Sequence, residues 1–322
     1  MLKSSDLKQI QDVLRPLAFN IQEDEKHTRS PAFQKYLNHY QINFARTMKN
    51  VRHGFGTFKV GEFTVAAHYW LPDMPRGTIF VFHGYFDHVG LFNHLIRFSL
   101  QNDYAVVAYD LPGMGLSNGE RATTDSFDNY YRVMTACCEH FRGLAPEKWY
   151  AVAQSAGSTA LLKHILSKGL APFSKVVVLA PLVRSRGWSR DRWLYALGRL
   201  FIRSLPRVFS ENSHDEAFLE FVKKSDPLQT RHLPVKWVGA MKNWIDDFGR
   251  FSPQPHPVYV IQGDNDNTVD WKYNIDQIKA KLPNAQVKIV HRGRHHLVAE
   301  SAPYRAQVFA SIKAYLEKKE GD

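Results

Sequence analysis

A serine, an aspartate and a histidine occupy positions where they could form a nucleophilic catalytic group. Ser155 lies in the run AQSAG, flanked at two-residue spacing by Ala153 and Gly157. Small residues at these positions are typical of a sharp strand-to-helix turn that exposes a serine, because larger side chains would collide there. A structural alternative is that Ser155 merely caps the helix that follows. The rest of the chain has to decide between the two interpretations.

Acidic and basic partners for this serine come later in the chain. DNDNTVD supplies Asp264, Asp266 and Asp270, and RGRHHL supplies His295 and His296. Each run follows a strand-like apolar stretch, as AQSAG does, and open α/β sheets bind ligands at the carboxyl ends of their strands. The order serine, acid, histidine is the one expected of an α/β-hydrolase. One histidine would take the serine proton, and one aspartate would orient and stabilise the imidazolium.

Two backbone N–H groups are candidates for an oxyanion hole. HGYFDHVG follows the apolar run GTIFVF, and its Gly84 lets the backbone approach a ligand closely. We expect the N–H of Tyr85 to donate from this turn. The N–H of Ala156, at the start of the helix after Ser155, would be the second donor. Acyl transfer to water by such a group requires no cofactor and no metal, and we expect none.

Apolar strand-like runs alternate with helix-like stretches along most of the chain. The predicted strands are 77–82, 104–110, 149–154, 175–181, 256–263 and 286–291. The clearest predicted helices are 92–102, 126–144 and 271–282. Continuous apolar strands indicate burial on both faces of a sheet, and an alternating run at 56–70 predicts an antiparallel hairpin that opens it. The chain is therefore predicted to be an α/β protein with a doubly wound, mostly parallel sheet.

The interval 182–255 lacks a strand-like run and is rich in Trp, Leu, Phe and Arg, which predicts several helices. Because it follows the sixth predicted strand (175–181, counting the two strands of the hairpin), on the side where strands end, we interpret it as a helical lid over the site. The predicted organisation is an N-terminal helical extension (1–50), a core (51–181 and 256–322) and this lid.

One part of this lid, residues 190–204, predicts a helix suited to a membrane surface. Its apolar face would carry Trp193, Ala196, Leu197, Leu200 and Phe201, beside a strip of Arg192, Arg199 and Arg203. An apolar face with tryptophan and a basic edge is typical of an interfacial helix. The hypothesis is peripheral contact with an anionic membrane. The alternative is that the same face covers the pocket or packs on the body of the protein.

Composition limits the classes of function. The 322 residues carry a formal charge of +11, which favours an anionic partner. Zinc-finger spacing, an RNA-binding aromatic signature and a basic low-complexity tail are absent from the sequence, so we expect no nucleic acid. No apolar run reaches the roughly 20 residues of a membrane span, and the N-terminus lacks the pattern of a signal peptide. We therefore expect a cytoplasmic protein, peripheral to the inner face of a membrane if the lid hypothesis holds. The adjacent Cys137 and Cys138 are predicted to be reduced.

Longer motifs resemble the monoacylglycerol lipase and lysophospholipase group of the α/β-hydrolases, also called the serine aminopeptidase S33-like group. HGYFDHVGLF resembles its HG-x-x-[ED]-H-x-x-x-[YF] oxyanion stretch, and YDLPGMGLSNGERA its D-x-x-G-x-G-x-S-x-G-x-R segment. AQSAG departs from the commoner GxSxG at Ala153, a small-residue change that the turn should tolerate. The resemblance runs from about residue 56 to the C-terminus and leaves the N-terminal helices and much of the lid unmatched. It implies that Ser155 is a nucleophile.

The resemblance also favours one acid and one histidine. GDNDNTV resembles the G-x-x-D-x-x-V acid loop, which points to Asp266 rather than Asp264. RHHLVAE resembles a [RK]-H-x-L-x-x-E ending, which points to His295 with Glu300 five residues later, whereas a count from Gly293 favours the neighbouring histidine. The implied activity is hydrolysis of a lipid-like ester, monoacylglycerol or lysophospholipid. The alternatives are a proline-type aminopeptidase, a general carboxylesterase, or a catalytically silent membrane-binding module.

Overall fold

The computed structural model describes residues 2–318, apart from the side chains of Ser4 and Leu194. Ten strands occur in this range: β1 Val51–Val60, β2 Phe63–Pro72, β3 Thr78–Phe82, β4 Ala105–Tyr109, β5 Trp149–Gln154, β6 Phe173–Leu179, β7 Ser204–Pro206, β8 His232–Pro234, β9 Tyr259–Gly263 and β10 Gln286–Val290. Eight of them form one sheet in the order β1-β2-β4-β3-β5-β6-β9-β10, and β7 pairs with β8 in a separate ribbon.

The sheet is mostly parallel, as predicted. β1 and β2 form the antiparallel hairpin at its edge, and β2 is antiparallel to β4. Every other neighbouring pair in the eight-stranded sheet is parallel. All residues of β3, β4 and β5 are buried, which explains why their sequences are apolar throughout instead of alternating.

Twelve α-helices surround the sheet within the described range: α1 Ser4–Val13, α2 Ile21–Thr28, α3 Pro31–His39, α4 Phe44–Thr47, α5 Asn93–Gln101, α6 Asp128–His140, α7 Gly157–Lys168, α8 Trp188–Gly198, α9 Glu216–Glu220, α10 Val235–Arg250, α11 Trp271–Lys281 and α12 Ala302–Glu317. No helix among the described residues has both the length and the apolar character needed to cross a membrane.

Two apolar clusters lie on the two faces of the sheet. Alternate residues of β3 divide between them, since Phe80 belongs to one cluster and Ile79 to the other. Val133 of α6 joins the cluster of Phe80, whereas Leu95 of α5 and Ile312 of α12 join the cluster of Ile79. Helices therefore cover both faces, which confirms the doubly wound arrangement.

The N-terminal helices contribute large side chains to the second cluster. Phe33, Tyr36 and Phe44 are fully buried there. The ring of Tyr36 stacks on that of Phe55 in β1, with 5.5 Å between the ring centroids. Residues 2–50 are thus packed on the sheet through an aromatic interface that includes the opening hairpin.

The segment between β6 and β9 (residues 182–255, hereafter the inserted segment) differs from the sequence prediction in two respects. It contains the short strands β7 and β8, which were not expected. Their sequences, Ser-Leu-Pro and His-Leu-Pro, hold proline, which cannot donate to a ladder and does not predict a strand. The prediction of a helix over residues 190–204 is also wrong beyond Gly198, where α8 ends. Glycine is a poor helix former, and the chain then turns into β7.

Candidate active site

The sharp turn between β5 and α7 holds Ser155 in an unusual backbone conformation. Its φ of +52° lies in the left-handed region, which costs a residue other than glycine on the order of 1–3 kcal/mol. A Cβ atom at Gly157 would lie 2.5 Å from the carbonyl oxygen of His83, so only glycine allows α7 to start this close to the end of β3. Ala153 is fully buried between neighbouring strands. The AQSAG spacing thus has a steric cause.

Three sequence-predicted side chains meet at this turn. The Nε2 atom of His295 lies 2.9 Å from the Oγ of Ser155, and its Nδ1 lies 2.7 Å from Oδ2 of Asp266. The other carboxylate oxygen of Asp266 accepts hydrogen bonds from the backbone N–H groups of Thr268 and Val269. These bonds fix the carboxylate, which in turn orients the imidazole toward the serine.

The pKa values of the acid and the base are coupled. Burial alone would lower the pKa of His295, but the charge of Asp266 and its hydrogen bond outweigh burial and raise it. Burial would raise the pKa of Asp266, but His295 and the two backbone N–H groups lower it. The aspartate is therefore ionised at neutral pH, and the imidazole is a stronger base than a free histidine.

The alternative acid and histidine are occupied elsewhere. His296 Nε2 lies 3.1 Å from Oδ1 of Asp87, in the HGYFDHVG run (residues 83–90, hereafter the oxyanion turn, after its predicted role). Asp264 accepts from the Nδ1 of His291 at 2.9 Å and from a backbone N–H, so it organises its own turn. Asp270 forms an ion pair with Arg184 at 2.6 Å, away from the serine. The structure therefore brings His295 and Asp266, not these neighbours, to Ser155.

The predicted oxyanion turn lies against the serine. A Cβ atom at Gly84 would be 3.2 Å from the Cβ of Ser155, so glycine is needed for this close approach. Among the described residues, no acceptor is found for the backbone N–H of Tyr85 or of Ala156. The N–H of Ala156, next to the serine in the chain, and the N–H of Tyr85, next to Gly84, thus meet one condition for the donors of an oxyanion hole, which is to have no protein acceptor.

Two buried side chains hold this turn in place. The Nε2 of His83 accepts from the N–H of Leu111 at 2.8 Å, so its Nδ1 carries the proton and donates to the carbonyl oxygen of Gly84. Asp110 accepts from the backbone N–H groups of Val89 and Leu116, both at 2.8 Å. Asp110 begins the D-x-x-G-x-G segment, which links this sequence motif to the geometry of the oxyanion turn.

Sequence reasoning missed a buried network that ties the inserted segment to the core. Asp226 accepts from the hydroxyl of Tyr40 at 2.7 Å and lies 3.0 Å from the Nε2 of His88. The only sequence signal was the histidine, which ends the HGYFDH run. Asp226 and Tyr40 lie in stretches without a motif, 186 residues apart.

A second connection joins the inserted segment to the loop that carries His295. The fully buried Glu300 accepts hydrogen bonds from the backbone N–H groups of His214, Arg294 and Ser301. These bonds lower its pKa despite burial, which acts in the opposite direction. Glu300 therefore positions the histidine loop and is not aimed at the serine.

A cavity of about 600 Å³ opens at Ser155 and His295. Its wall includes an apolar group formed by Leu182, Phe218, Leu233, Trp237, Met241 and Val269. The ring of Trp237 stacks on that of Tyr85 with 3.7 Å between centroids, so the inserted segment contacts the oxyanion turn directly. Within the part of the chain that the structure describes, no cluster of three or more His, Cys, Asp or Glu is arranged to hold a metal.

Comparison with known proteins gives a consistent family. Residues 73–302 match the family model described as serine aminopeptidase, S33. The chain is 26% identical over 264 residues to a monoglyceride lipase of Homo sapiens, covering 78% of this chain and 86% of that protein. It is 23% identical over 265 residues to a monoglyceride lipase homolog of monkeypox virus, covering 77% and 92% of the two chains.

The fold also matches solved structures. The crystal structure of a soluble variant of monoglyceride lipase from Saccharomyces cerevisiae, in complex with a substrate analog, superposes with a TM-score of 0.69 at 16% identity. That match covers 81% of this chain and 94% of the yeast chain. The sheet, its connections and the flanking helices are those of an α/β-hydrolase.

Proposed function

The chain belongs to the serine aminopeptidase S33 family of α/β-hydrolases, and from this premise we propose that it hydrolyses a carboxylic ester of a single-chain glycerolipid. The substrate is a monoacylglycerol or a lysophospholipid, and the reaction passes through an acyl-enzyme on Ser155. The observation that carries the proposal is His295, which bridges Ser155 at 2.9 Å and Asp266 at 2.7 Å at the base of an apolar cavity. The relatives named as monoglyceride lipases support the choice of a lipid ester.

In the first half of the reaction, the Oγ of Ser155 attacks the ester carbonyl while His295 accepts its proton at Nε2. Asp266 holds the opposite ring nitrogen and stabilises the imidazolium that forms. The N–H groups of Tyr85 and Ala156 stabilise the oxyanion of the tetrahedral intermediate. Removal of one such donor in other enzymes costs about 100- to 1,000-fold in kcat.

The imidazolium of His295 then gives its proton to the leaving alcohol as the ester C–O bond breaks, which ends the first half of the reaction with the acyl group on Ser155. In the second half, water attacks the acyl-enzyme with His295 again acting as the base, and the imidazolium returns the proton to the Oγ of Ser155 as the fatty acid leaves. The apolar wall of the cavity would hold the acyl chain, because its burial removes hydrocarbon surface from water. In this proposal the inserted segment is a lid that supplies much of that wall, through residues such as Phe218 and Met241.

The surface of this lid offers a means of reaching substrate in a membrane. Five apolar side chains on α8 and around β7 are between 66% and 86% exposed: Trp193, Leu197, Leu200, Phe201 and Val208. Soluble proteins rarely expose large apolar groups so closely together in the chain. Three exposed arginines lie on the same stretch, and no described carboxylate pairs with them: Arg192, Arg199 and Arg203. Apolar side chains bordered by cations suit an anionic lipid surface, and we assign this stretch to peripheral membrane contact.

Two measurements test the proposed activity. A fluorophosphonate probe should label the wild-type protein and fail to label Ser155→Ala, whereas a silent binding module would take no label. Purified protein should then be assayed with monoacylglycerol, lysophospholipid and a proline anilide. Hydrolysis of the anilide alone would replace this proposal with the aminopeptidase. Turnover of short-chain esters only would replace it with a general carboxylesterase.

A further inference from the structure

Arg207 occupies a fixed position in the wall of the catalytic cavity. Its backbone N–H donates to the carbonyl oxygen of Arg231 at 2.9 Å, which extends the ribbon of β7 and β8 by one residue. Its guanidinium lies between two aromatic rings, 4.0 Å from the centroid of Phe86 and 4.4 Å from that of Phe209. Because Phe86 directly follows Tyr85, the guanidinium stands beside the oxyanion turn. The same cavity contains Ser155.

The guanidinium of Arg207 forms no ion pair within the described chain, although the charges of Asp87 and Asp226 act on it from a longer distance. Its Nη1 donates to the side chain of Gln229 and to the carbonyl oxygen of Thr230. No described carboxylate lies within 4.0 Å, and no described acceptor is found for its Nε or Nη2 atoms. Burial lowers the pKa of Arg207 to about 10, so the group remains cationic at neutral pH. The nearby acidic charges offset only part of the free energy that the cation loses by leaving water. A half-buried cation is costly unless an anion joins it.

The carboxylates that line the cavity each have a closer partner than Arg207, so the charge of Asp87 offsets that of Arg207 without direct contact. These pairs are Asp87 with His296 at 3.1 Å, Glu211 with Arg294 at 3.5 Å, and Glu220 with Lys224 at 2.9 Å. Lys223 also lines the cavity, and no ion pair is found for it among the described residues. Arg207 and Lys223 are thus two cations of the cavity wall that form no ion pair with a described carboxylate.

We propose that Arg207 binds a phosphate group in the alcohol part of the substrate, so that the enzyme selects lysophospholipids over neutral monoacylglycerols. The inference rests on the proposed function and names the substrate class of the same site. A guanidinium presents parallel N–H groups that match two oxygens of one phosphate, and its Nε and Nη2 form such an edge. The two aromatic rings keep that edge oriented, which reduces the entropy lost on binding.

The direct test compares two substrates that share an acyl chain, 1-oleoyl-lysophosphatidylglycerol and 1-oleoylglycerol. The ratio of their kcat/KM values should favour the phospholipid in the wild type. Because hydrogen bonds to charged groups are strong, Arg207→Gln should lower this ratio by about 10-fold or more. Arg207→Lys should keep part of the wild-type ratio, since lysine keeps the positive charge but lacks the two parallel N–H donors of a guanidinium. The matched control is Arg231→Gln, an exposed arginine 5.3 Å from the Phe209 ring, which should keep the wild-type ratio.

A second measurement requires no folded variant. Glycerol 3-phosphate should inhibit hydrolysis of a nitrophenyl butyrate by the wild type competitively, whereas glycerol at the same concentration should not. If glycerol 3-phosphate inhibits no better than glycerol, the proposal that Arg207 binds phosphate is overturned. The same holds if Arg207→Gln leaves the ratio of kcat/KM values for the two substrates unchanged. Robust monoacylglycerol hydrolysis in that case leaves the proposed function intact. If neither glycerolipid is hydrolysed, the proposed function and the phosphate site are both overturned.

Discussion

Ser155 and His295 are 140 residues apart in the sequence, yet the Oγ of one lies 2.9 Å from the Nε2 of the other. The serine follows β5, and the histidine follows β10 at the far edge of the sheet. The loop after β10 must therefore reach back across the ends of β9 and β6. Glu300 and the side chain of Gln154, which donates to the carbonyl oxygen of His295 at 2.8 Å, hold this loop in place.

Ser155→Ala should abolish ester hydrolysis while the protein stays folded, since alanine is small enough for the turn. By analogy with other serine triads, kcat should fall on the order of 10⁴-fold or more. The measurement is turnover of a nitrophenyl ester, with circular dichroism as the check on folding. Ser167→Ala, on the exposed side of the same helix, is the control and should retain activity. Retained turnover in Ser155→Ala would disprove the assignment of Ser155 as the nucleophile.

The two adjacent histidines should respond differently to substitution. His295→Ala should lose activity about as severely as the serine variant, because both act as one unit. His296→Ala should keep most of the catalytic activity but lose stability, since it leaves the largely buried carboxylate of Asp87 without its hydrogen-bond partner. Paired activity and urea-unfolding measurements separate the two effects. A dead His296→Ala beside an active His295→Ala would reverse the assignment.

The acid limb of the pH–rate profile should lie above pH 6.5, the ordinary pKa of histidine. The pKa of His295 is raised by Asp266, so the unprotonated base is lost as pH falls through that higher value. Asp266→Asn should reduce kcat by about 10⁴-fold and lower the pKa of the imidazole, because burial then acts unopposed. NMR titration of His295 checks this shift. Asp264→Asn, whose carboxylate serves a neighbouring turn, should leave the profile unchanged, and an equal shift in both variants would contradict the role of Asp266.

Asp226→Ala should destabilise the fold by about 3–5 kcal/mol at neutral pH, because it leaves His88 buried without its ion-pair partner. Burial would raise the pKa of Asp226, but His88, Tyr40 and Gln229 lower it to about 2. The stabilisation is therefore present above the ordinary pKa of 3.8 and is lost as pH falls through about 2. Urea unfolding against pH measures it.

The control for this stability measurement is Asp246→Ala, which removes an exposed helix pair with Lys242 and should cost less than about 1 kcal/mol. If the Asp226 and Asp246 variants lose similar stability, the buried network does not anchor the inserted segment.

The wild-type protein should co-sediment with vesicles that contain an anionic phospholipid and should stay in the supernatant with neutral vesicles. Salt should weaken binding, because it screens the arginines. Arg199→Glu with Arg203→Glu should weaken binding further. The control has the same change in net charge at the exposed Lys279 and Lys313 of α11 and α12, and it should still bind. If the wild type does not bind anionic vesicles at low salt, the membrane role is wrong.

The sequence by itself determined the elements of the sheet and the order of the chemistry-bearing residues. Strand β5 was predicted at its observed bounds, because a strand buried on both faces must be apolar at every position. The small residues around Ser155 predicted the turn, since steric crowding at such a turn excludes larger side chains. These features depend on neighbours close in the chain, so local patterns were sufficient to reveal them.

Tertiary structure decided what depends on residues distant in the chain. Sequence counts left His295 and His296 open, and the loop that Glu300 holds now places only His295 at the serine. The ion pair of Asp226 with His88 and the position of Arg207 between two aromatic rings had no local signal. Hydrogen bonds and ring contacts between distant segments impose no periodicity on either sequence, which is why only the folded chain reveals them.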